Sequence, residues 1–260
     1  MSNSADQAFV LKAINLNSPV PYYAQVKEVL KESIGHGQLK PGNQLPGETD
    51  LCAIFSVSRT VIRQALDELE VEGLISRRKG KGTFVAEPKI VEGLAQKLTG
   101  FFQDMSERGY PPTSRILKQV QAPALPRVAG YLGLPPGQTV VEIERLRFVQ
   151  NEPLVLVTTY LPYPLCKELL DLDLSNQSLY ALLEQRLGLV IARGHRFLEA
   201  VAASPYEAGL LQVEVGAPLM LLDSVSYLED GTPLEYYHAL HRGDRSRFEA
   251  ELIRVREPRV

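Results

Sequence analysis

The chain has 260 residues, 45% of them hydrophobic and 23% charged, with a formal net charge of −3 at pH 7. That length suits two folded domains of roughly 100–200 residues each, and the balanced composition excludes a disordered or fibrous polymer. No run reaches the roughly 18 apolar residues of a membrane helix. The opening MSNSADQ lacks a signal-peptide pattern, and the two distant cysteines, Cys52 and Cys166, support neither a disulfide framework nor a CxxC metal site, so a cytoplasmic protein is expected.

Residues 1–20 carry no sustained periodicity and read as a flexible tail ending in Ser18-Pro19-Val20-Pro21. From Tyr22, the positions Val26, Val29, Leu30 and Ile34 mark one face of a helix that Gly35 or Gly37 ends. A connector, 39–46, holds two prolines and isolated leucines. It leads to a short second helix that starts near Glu48, with Leu51, Cys52, Ile54 and Phe55 as its expected buried positions. Ser56-Val57-Ser58 then makes a tight turn into a third helix. There Ile62, Ala65, Leu66 and Leu69 share one face, while Arg59, Thr60, Arg63 and Gln64 lie around the other. Leu74–Arg78 and Thr83–Val85 flank Lys79-Gly80-Lys81-Gly82 and predict a β-hairpin.

The net negative charge argues at first sight against a polyanionic partner, but distribution decides. From Gly73 to Gly82 there are four cations and no carboxylate, and Arg59 and Arg63 form a second basic pair upstream. Three short helices followed by a basic, glycine-rich hairpin are the outline of a winged helix-turn-helix. The third helix would enter a major groove, where Arg59 and Arg63, one turn apart, offer forked donors to guanine or phosphate. Ser58 and Thr60 stand at its amino end, Ser58 as the expected cap, where free amides also favour an anion. At the hairpin tip Gly80 and Gly82 remove bulk so that backbone and Lys81 approach a groove, with Arg77, Arg78 and Lys79 adding charge. Singly, each cation has an ordinary alternative as a solvated surface charge; the combination points to double-stranded DNA.

Residues 88–98, with Glu87-Pro88-Lys89 at their start, suit a linker between a domain at 21–87 and a second at 99–260. Beyond it, Phe101, Phe102 and Met105 mark a helix ending near Gly109. A strand is expected over 116–120, a helix over 126–132, and a hairpin from 140–149 and 154–161 around the turn 150–153. Helices near 166–170 and 179–187, a strand near 196–203 and a short helix at 205–211 follow. A last hairpin joins 218–228 to 233–241 through Glu229-Asp230-Gly231-Thr232. Hairpin connections predict a largely antiparallel sheet and an α+β fold.

Within this frame Pro21–Val26, Gly37–Gly42, Leu45-Pro46-Gly47-Glu48, Val57–Leu66, Gly73-Leu74-Ile75 and Gly80–Val85 resemble, continuously, the DNA-binding domain of GntR regulators. The resemblance implies DNA contact by Ser58, Arg59, Thr60 and Arg63 of the recognition helix and by Gly80, Lys81 and Gly82 of the wing. Two positions depart from the family pattern: Gly47 stands where Ser is usual, and Thr49 where Arg is frequent.

The region from about 99 to 255 resembles the chorismate-lyase-like UTRA effector domain of the HutC branch. Glu144-Arg145-Leu146-Arg147, Thr159-Tyr160-Leu161-Pro162, Pro233–Tyr237 and His241–Arg245 carry the resemblance. Arg145 and Arg147, two apart on a strand, leave the same face and could clamp one anionic group. A solvated ladder facing carboxylates on a neighbouring strand is the alternative. By resemblance Arg145, Arg147 and Thr159 would line the acidic end of an effector site, with Glu235 and His241 at the other; sugar-phosphate-sensing relatives often have tyrosine in the place of His241. The implied partners are an operator in double-stranded DNA, a small effector such as a sugar phosphate or other small acid, and a second copy of the chain. No cofactor or metal is implied. Residual lyase-like catalysis and a ligand-free architectural DNA binder are the competing functions.

Overall fold

The computed structural model describes residues 11–78, 80–94 and 98–251. The first half of the expected tail, Lys79 of the hairpin tip, residues 95–97 of the expected linker and the end of the second domain lie outside the described residues. The chain divides into two compact units between Pro88 and Lys89.

The first unit contains α1 (Tyr22–Gly35), α2 (Glu48–Phe55), α3 (Arg59–Val71), β1 (Ile75–Arg78) and β2 (Gly82–Val85). Its core joins Val26 and Leu30 of α1, Leu51 and Phe55 of α2 and the Ile62, Ala65, Leu66 and Leu69 stripe of α3. The i, i+3, i+4, i+7 spacing of that stripe is why the segment is helical and which side it hides. Ile54 was expected inside but is largely exposed, because the buried stripe of α2 runs through Leu51 and Phe55 and leaves Ile54 beside it. Ser56 adopts a left-handed conformation (φ 55°) that stops α2 and turns the chain into α3.

Leu39 and Leu45 of the connector complete this core. The connector also flanks the hairpin: the Leu45 amide donates to the Thr83 oxygen (2.8 Å) and the Val85 amide to the Asn43 oxygen (2.8 Å). Residues 11–20 correct the expectation of a free tail. Leu11 and Ile14 pack on the core, Lys12 pairs with Glu32 at 3.0 Å, and Gln25 Nε2 donates to the oxygens of Asn15 and Val20. Two apolar residues three apart are enough to lay this stretch along α1, although they are too few to show a period.

The second unit runs β3 (Ile90–Glu92), α4 (Gly100–Glu107), β4 (Thr113–Pro123), α5 (Pro126–Leu132), β5 (Thr139–Val149) and β6 (Glu152–Pro162). It continues through α6 (Tyr163–Cys166), a 3-10 turn (Lys167–Asp171), α7 (Leu179–Leu187), β7 (Ile191–Ala202) and α8 (Pro205–Leu211). It closes with β8 (Pro218–Leu228), β9 (Pro233–Arg242) and β10 (Ser246–Phe248). Six strands form one antiparallel sheet in the order β4-β5-β6-β9-β8-β7, so the fold is α+β as expected. Positive φ at both Gln150 and Asn151 makes the tight turn whose twist suits the β5–β6 hairpin. Helices α4 and α7 cover one face of the sheet, where Phe101, Met105, Leu179 and Leu183 meet apolar residues of β5, β6 and β9. Helices α5 and α8 cover the other. Central β6, roofed on both sides, is correspondingly an almost continuous buried run.

The expected linker, 88–98, needs correction. Residues 90–92 form β3, which pairs in parallel with β10, and Ile90, Glu92 and Leu94 are buried. A three-residue strand with a carboxylate at an inward position leaves no readable alternation, and its pairing partner lies some 150 residues along the chain.

Candidate functional site

In the first unit, the amino end of α3 carries Ser58, Arg59, Thr60 and Arg63, all exposed, while the aliphatic stripe faces inward. The helix therefore presents one polar surface and is anchored by the other. Ser58 occupies the cap position in extended conformation, but its hydroxyl makes no capping bond, contrary to the expected role. Arg59 is not an isolated cation: its Nε donates to Glu48 Oε2 at 2.6 Å, although the side chain remains 71% exposed. Glu48, at the start of α2, went unnoticed in the sequence as a partner of the recognition helix.

At the hairpin tip Gly80, Lys81 and Gly82 are exposed, and both glycines have positive φ (71° and 116°), the backbone region that disfavours side chains. A Cβ at Gly82 would also stand 2.5 Å from Gln44 Nε2, which donates to the Lys81 oxygen at 3.0 Å. The connector thus braces the tip. Arg77, expected to supply charge beside it, is held back by Asp67 (2.5 Å) and Glu70 (3.0 Å) of α3 and serves to fix the hairpin on the helix.

In the second unit a small, partly open cleft lies on the sheet face covered by α4 and α7. Arg145 and Arg147 project into it from β5, Arg196 from β7, and Glu235 and Tyr237 from β9; Phe101, Phe102 and Tyr180 complete its chemistry. Arg145 is 1% exposed and Arg147 4%. Nε and Nη1 of both have no hydrogen-bond partner among the described residues, and the same holds for Nε of Arg196 and the Tyr237 hydroxyl. The Arg147 guanidinium lies 5.1 Å from the Phe101 ring centroid. Burial, and next the neighbouring charge of Arg147, push Arg145 down to about 9.

The carboxylate of Glu235 is buried and already engaged. Its Oε2 accepts from the Tyr180 hydroxyl at 2.7 Å and from the Ser226 hydroxyl at 3.1 Å. Burial raises its pKa, against those hydrogen bonds. Three guanidiniums against one carboxylate make the cleft strongly positive, and buried cations without partners are costly unless an anion joins them.

Of the five expected effector residues, Arg145, Arg147 and Glu235 line this cleft; Thr159 and His241 do not. Thr159 is fully buried on β6, opposite Ile143 and Tyr237 of the flanking strands. His241 is fully buried too. Its Nδ1 bonds Glu92 Oε1 at 3.0 Å, and its ring packs near Phe101 and Phe248. His241 shares the sheet face of Glu235 but stands six residues further along β9, where it is engaged by Glu92 instead.

Arg196, Tyr180 and Tyr237 were missed. Tyr237 was within reach of the same rule that paired Arg145 with Arg147, since it stands two residues from Glu235 on one strand. Arg196 and Tyr180 arrive from separate elements and carry no sequence signal. Arg196 Nη1 also donates to the backbone oxygen of Leu94, so the segment that follows Pro88 is held by a residue of the cleft. Gly93 is fixed close by, its amide donating to Asp104 Oδ2 at 2.9 Å.

Among the described residues no helix is long and apolar enough to cross a membrane, and no cluster of His, Cys, Asp and Glu is arranged to hold a metal ion. The model for bacterial regulatory proteins of the gntR family matches residues 22–85, and the UTRA domain model matches residues 107–247. The HTH-type transcriptional repressor NagR of Bacillus subtilis is 37% identical over 235 residues, covering 90% of this chain and 96% of that protein. The histidine utilization repressor of Pseudomonas putida is 30% identical over 231 residues, 89% of this chain and 92% of that one. Among solved structures, PhnF from Mycobacterium smegmatis superposes with a TM-score of 0.62 at 29% identity, covering 88% of this chain and 99% of that one. The chain belongs to the GntR family, as a HutC-type transcriptional regulator in which a winged helix-turn-helix is joined to a UTRA effector domain.

Proposed function

We propose that this regulator is a cytoplasmic, homodimeric repressor that binds an inverted-repeat operator and responds to a small anionic effector held by Arg145, Arg147 and Arg196. One observation carries the effector reading: buried guanidinium donors without partners converge on a single cleft. A phosphate or carboxylate supplies the acceptors those donors need, and it does so bidentately. The buried acid Glu235 and the Tyr237 hydroxyl provide polar contacts for the rest of the molecule, as a sugar phosphate or other small hydroxy acid would require. The exposed polar side of α3 and the braced glycine tip support DNA reading through Ser58, Arg59, Thr60, Arg63, Gly80, Lys81 and Gly82. The repressor names of the relatives support repression over activation.

Coupling follows from the segment after Pro88. Leu94 lines the cleft and accepts from Arg196, so an anion that re-aims Arg196 changes how this segment is held. An effector acts only through such a difference between two states. The test is a thermal-shift screen of the full chain against inorganic phosphate, sugar phosphates and small carboxylic acids, followed by gel shifts on the upstream DNA with each stabilising compound. A compound that raises Tm and alters operator affinity supports the reading; stabilisation unchanged in an Arg145→Ala, Arg147→Ala double variant refutes the assigned cleft.

A further inference from the structure

A single register row crosses the sheet beneath the cleft. Thr159 of β6 stands opposite Tyr237 of β9, Tyr237 opposite Ser224 of β8, and Ser224 opposite Arg196 of β7. Residues paired in this way share a face, so all four side chains stand on the side that α4 and α7 cover. Each carries a buried polar atom with no hydrogen-bond partner among the described residues: the hydroxyls of Thr159, Tyr237 and Ser224, and Nε of Arg196. Ser224 is buried between Tyr237 and Arg196, both of which line the cleft. Buried polar groups without partners are rare, and a run of them on adjacent strands marks a place where an outside acceptor belongs.

This run ends far from the β5 pair. In the order β4-β5-β6-β9-β8-β7, four strand spacings, about 19 Å, separate the backbones of β5 and β7. Arg145 and Arg147 therefore approach the cleft from one side and Arg196 from the other, with Glu235 and Tyr237 of β9 between them. Burial raises the pKa of Glu235, opposed by the Tyr180 and Ser226 hydroxyls and then by Arg145 and Arg196, so one carboxylate answers both cationic sides.

We infer that the cleft has two acid subsites and that the effector carries an acidic group at each end, one clamped by Arg145 and Arg147, the other by Arg196 with the Ser224 and Tyr237 hydroxyls. The inference rests on the anion cleft of the preceding section and names the class of molecule that fills it. Arg196 can only donate, and the two hydroxyls beside it have free donors, so the group they face must accept several hydrogen bonds at once. A carboxylate or phosphate does so and also neutralises the guanidinium, whereas a neutral hydroxyl leaves that charge unmet. Arg196 Nη1 already donates to the Leu94 oxygen, so the second acid competes with the segment that follows Pro88. An effector with one acidic end leaves that contact in place.

Calorimetry on the full chain tests this with probes matched in length: phosphoglycerate against glycerol phosphate, phosphogluconate against glucitol phosphate, and adipate against hexanoate. The members of each pair differ in whether the far end is an acid. The expected result is a pair whose two-acid member binds at least about tenfold more tightly. Arg196→Gln should erase that preference and leave the affinity of the one-acid member unchanged. Ser224→Ala removes one hydroxyl, leaves Arg196 on Leu94, and should narrow the preference. Equal binding within every pair overturns the second subsite alone, as does a preference that survives Arg196→Gln or, where that variant does not fold, Ser224→Ala. Binding that persists in the Arg145→Ala, Arg147→Ala double variant, or no binding of any probe or of inorganic phosphate, overturns the anion cleft itself and this subsite with it.

Discussion

His241 Nδ1 and Glu92 Oε1 lie 3.0 Å apart at a point where neither side chain meets solvent. The bond ties β9 to β3, the first strand after Pro88. His241→Ala leaves a buried carboxylate unpaired beside a new cavity, a loss of about 3 kcal/mol or more. Replacing both residues by leucine removes the ionisable group with its partner and recovers much of that loss. Urea unfolding of His241→Ala and of the double leucine variant checks this: a double variant no more stable than His241→Ala would refute the recovery.

The same pair marks the limit of what sequence reasoning reached. The Arg59 and Arg63 face and the Arg145/Arg147 pair were legible because each follows from a local period of 3.6 or 2, and the glycine tip because turn residues are a local signal too. The role of His241 was not, because its partner stands far away on a strand too short to show alternation. Arg59 repeats the lesson. Its exposure was legible from α3 alone, but Glu48, which holds it, belongs to another helix. Arg77 was counted as a DNA-facing cation, and only the packing of β1 on α3 reveals Asp67 and Glu70 against it.

Glu48→Gln releases Arg59 and removes a negative charge from the DNA-facing side. Operator affinity is expected to rise several-fold at low salt, with the salt dependence steepened toward one further phosphate contact, a slope change of about −0.9 in log K against log salt. Fluorescence anisotropy across a salt series measures both. Unchanged affinity would place Glu48 and Arg59 outside the DNA surface. Replacing Arg59 and Arg63 together by alanine should abolish the preference for operator over random DNA.

Lys81→Ala and Arg77→Ala separate contact from scaffold within one hairpin. Lys81 is exposed at the tip, and its ammonium group makes no ion pair among the described residues, so its loss should weaken binding and flatten the salt slope while Tm stays fixed. Arg77 is engaged by α3, so its loss should lower Tm first, by an amount that high salt reduces. An identical Tm for parent and Arg77→Ala would return Arg77 to the DNA surface.

Anion binding should fall as pH rises through about 9. Buried Arg145 loses its proton there, far below the ordinary guanidinium range, because burial and Arg147 disfavour the cation. The sign follows from the charge: below about 9 the protonated side chain attracts an anion in full, and above it the attraction fades. The cleft tyrosines do not add a compensating change, since burial raises Tyr180 well above its ordinary value and pushes Tyr237 up to about 12. A bound anion favours the protonated arginine, so binding should also take up protons near pH 9. Calorimetry with inorganic phosphate at pH 7.5 and pH 10, in buffers of different ionisation enthalpy, reads both quantities. Loss of affinity in Arg145→Ala at pH 7.5 places Arg145 at the anion, and equal affinity of the parent at the two pH values would then refute its lowered ionisation.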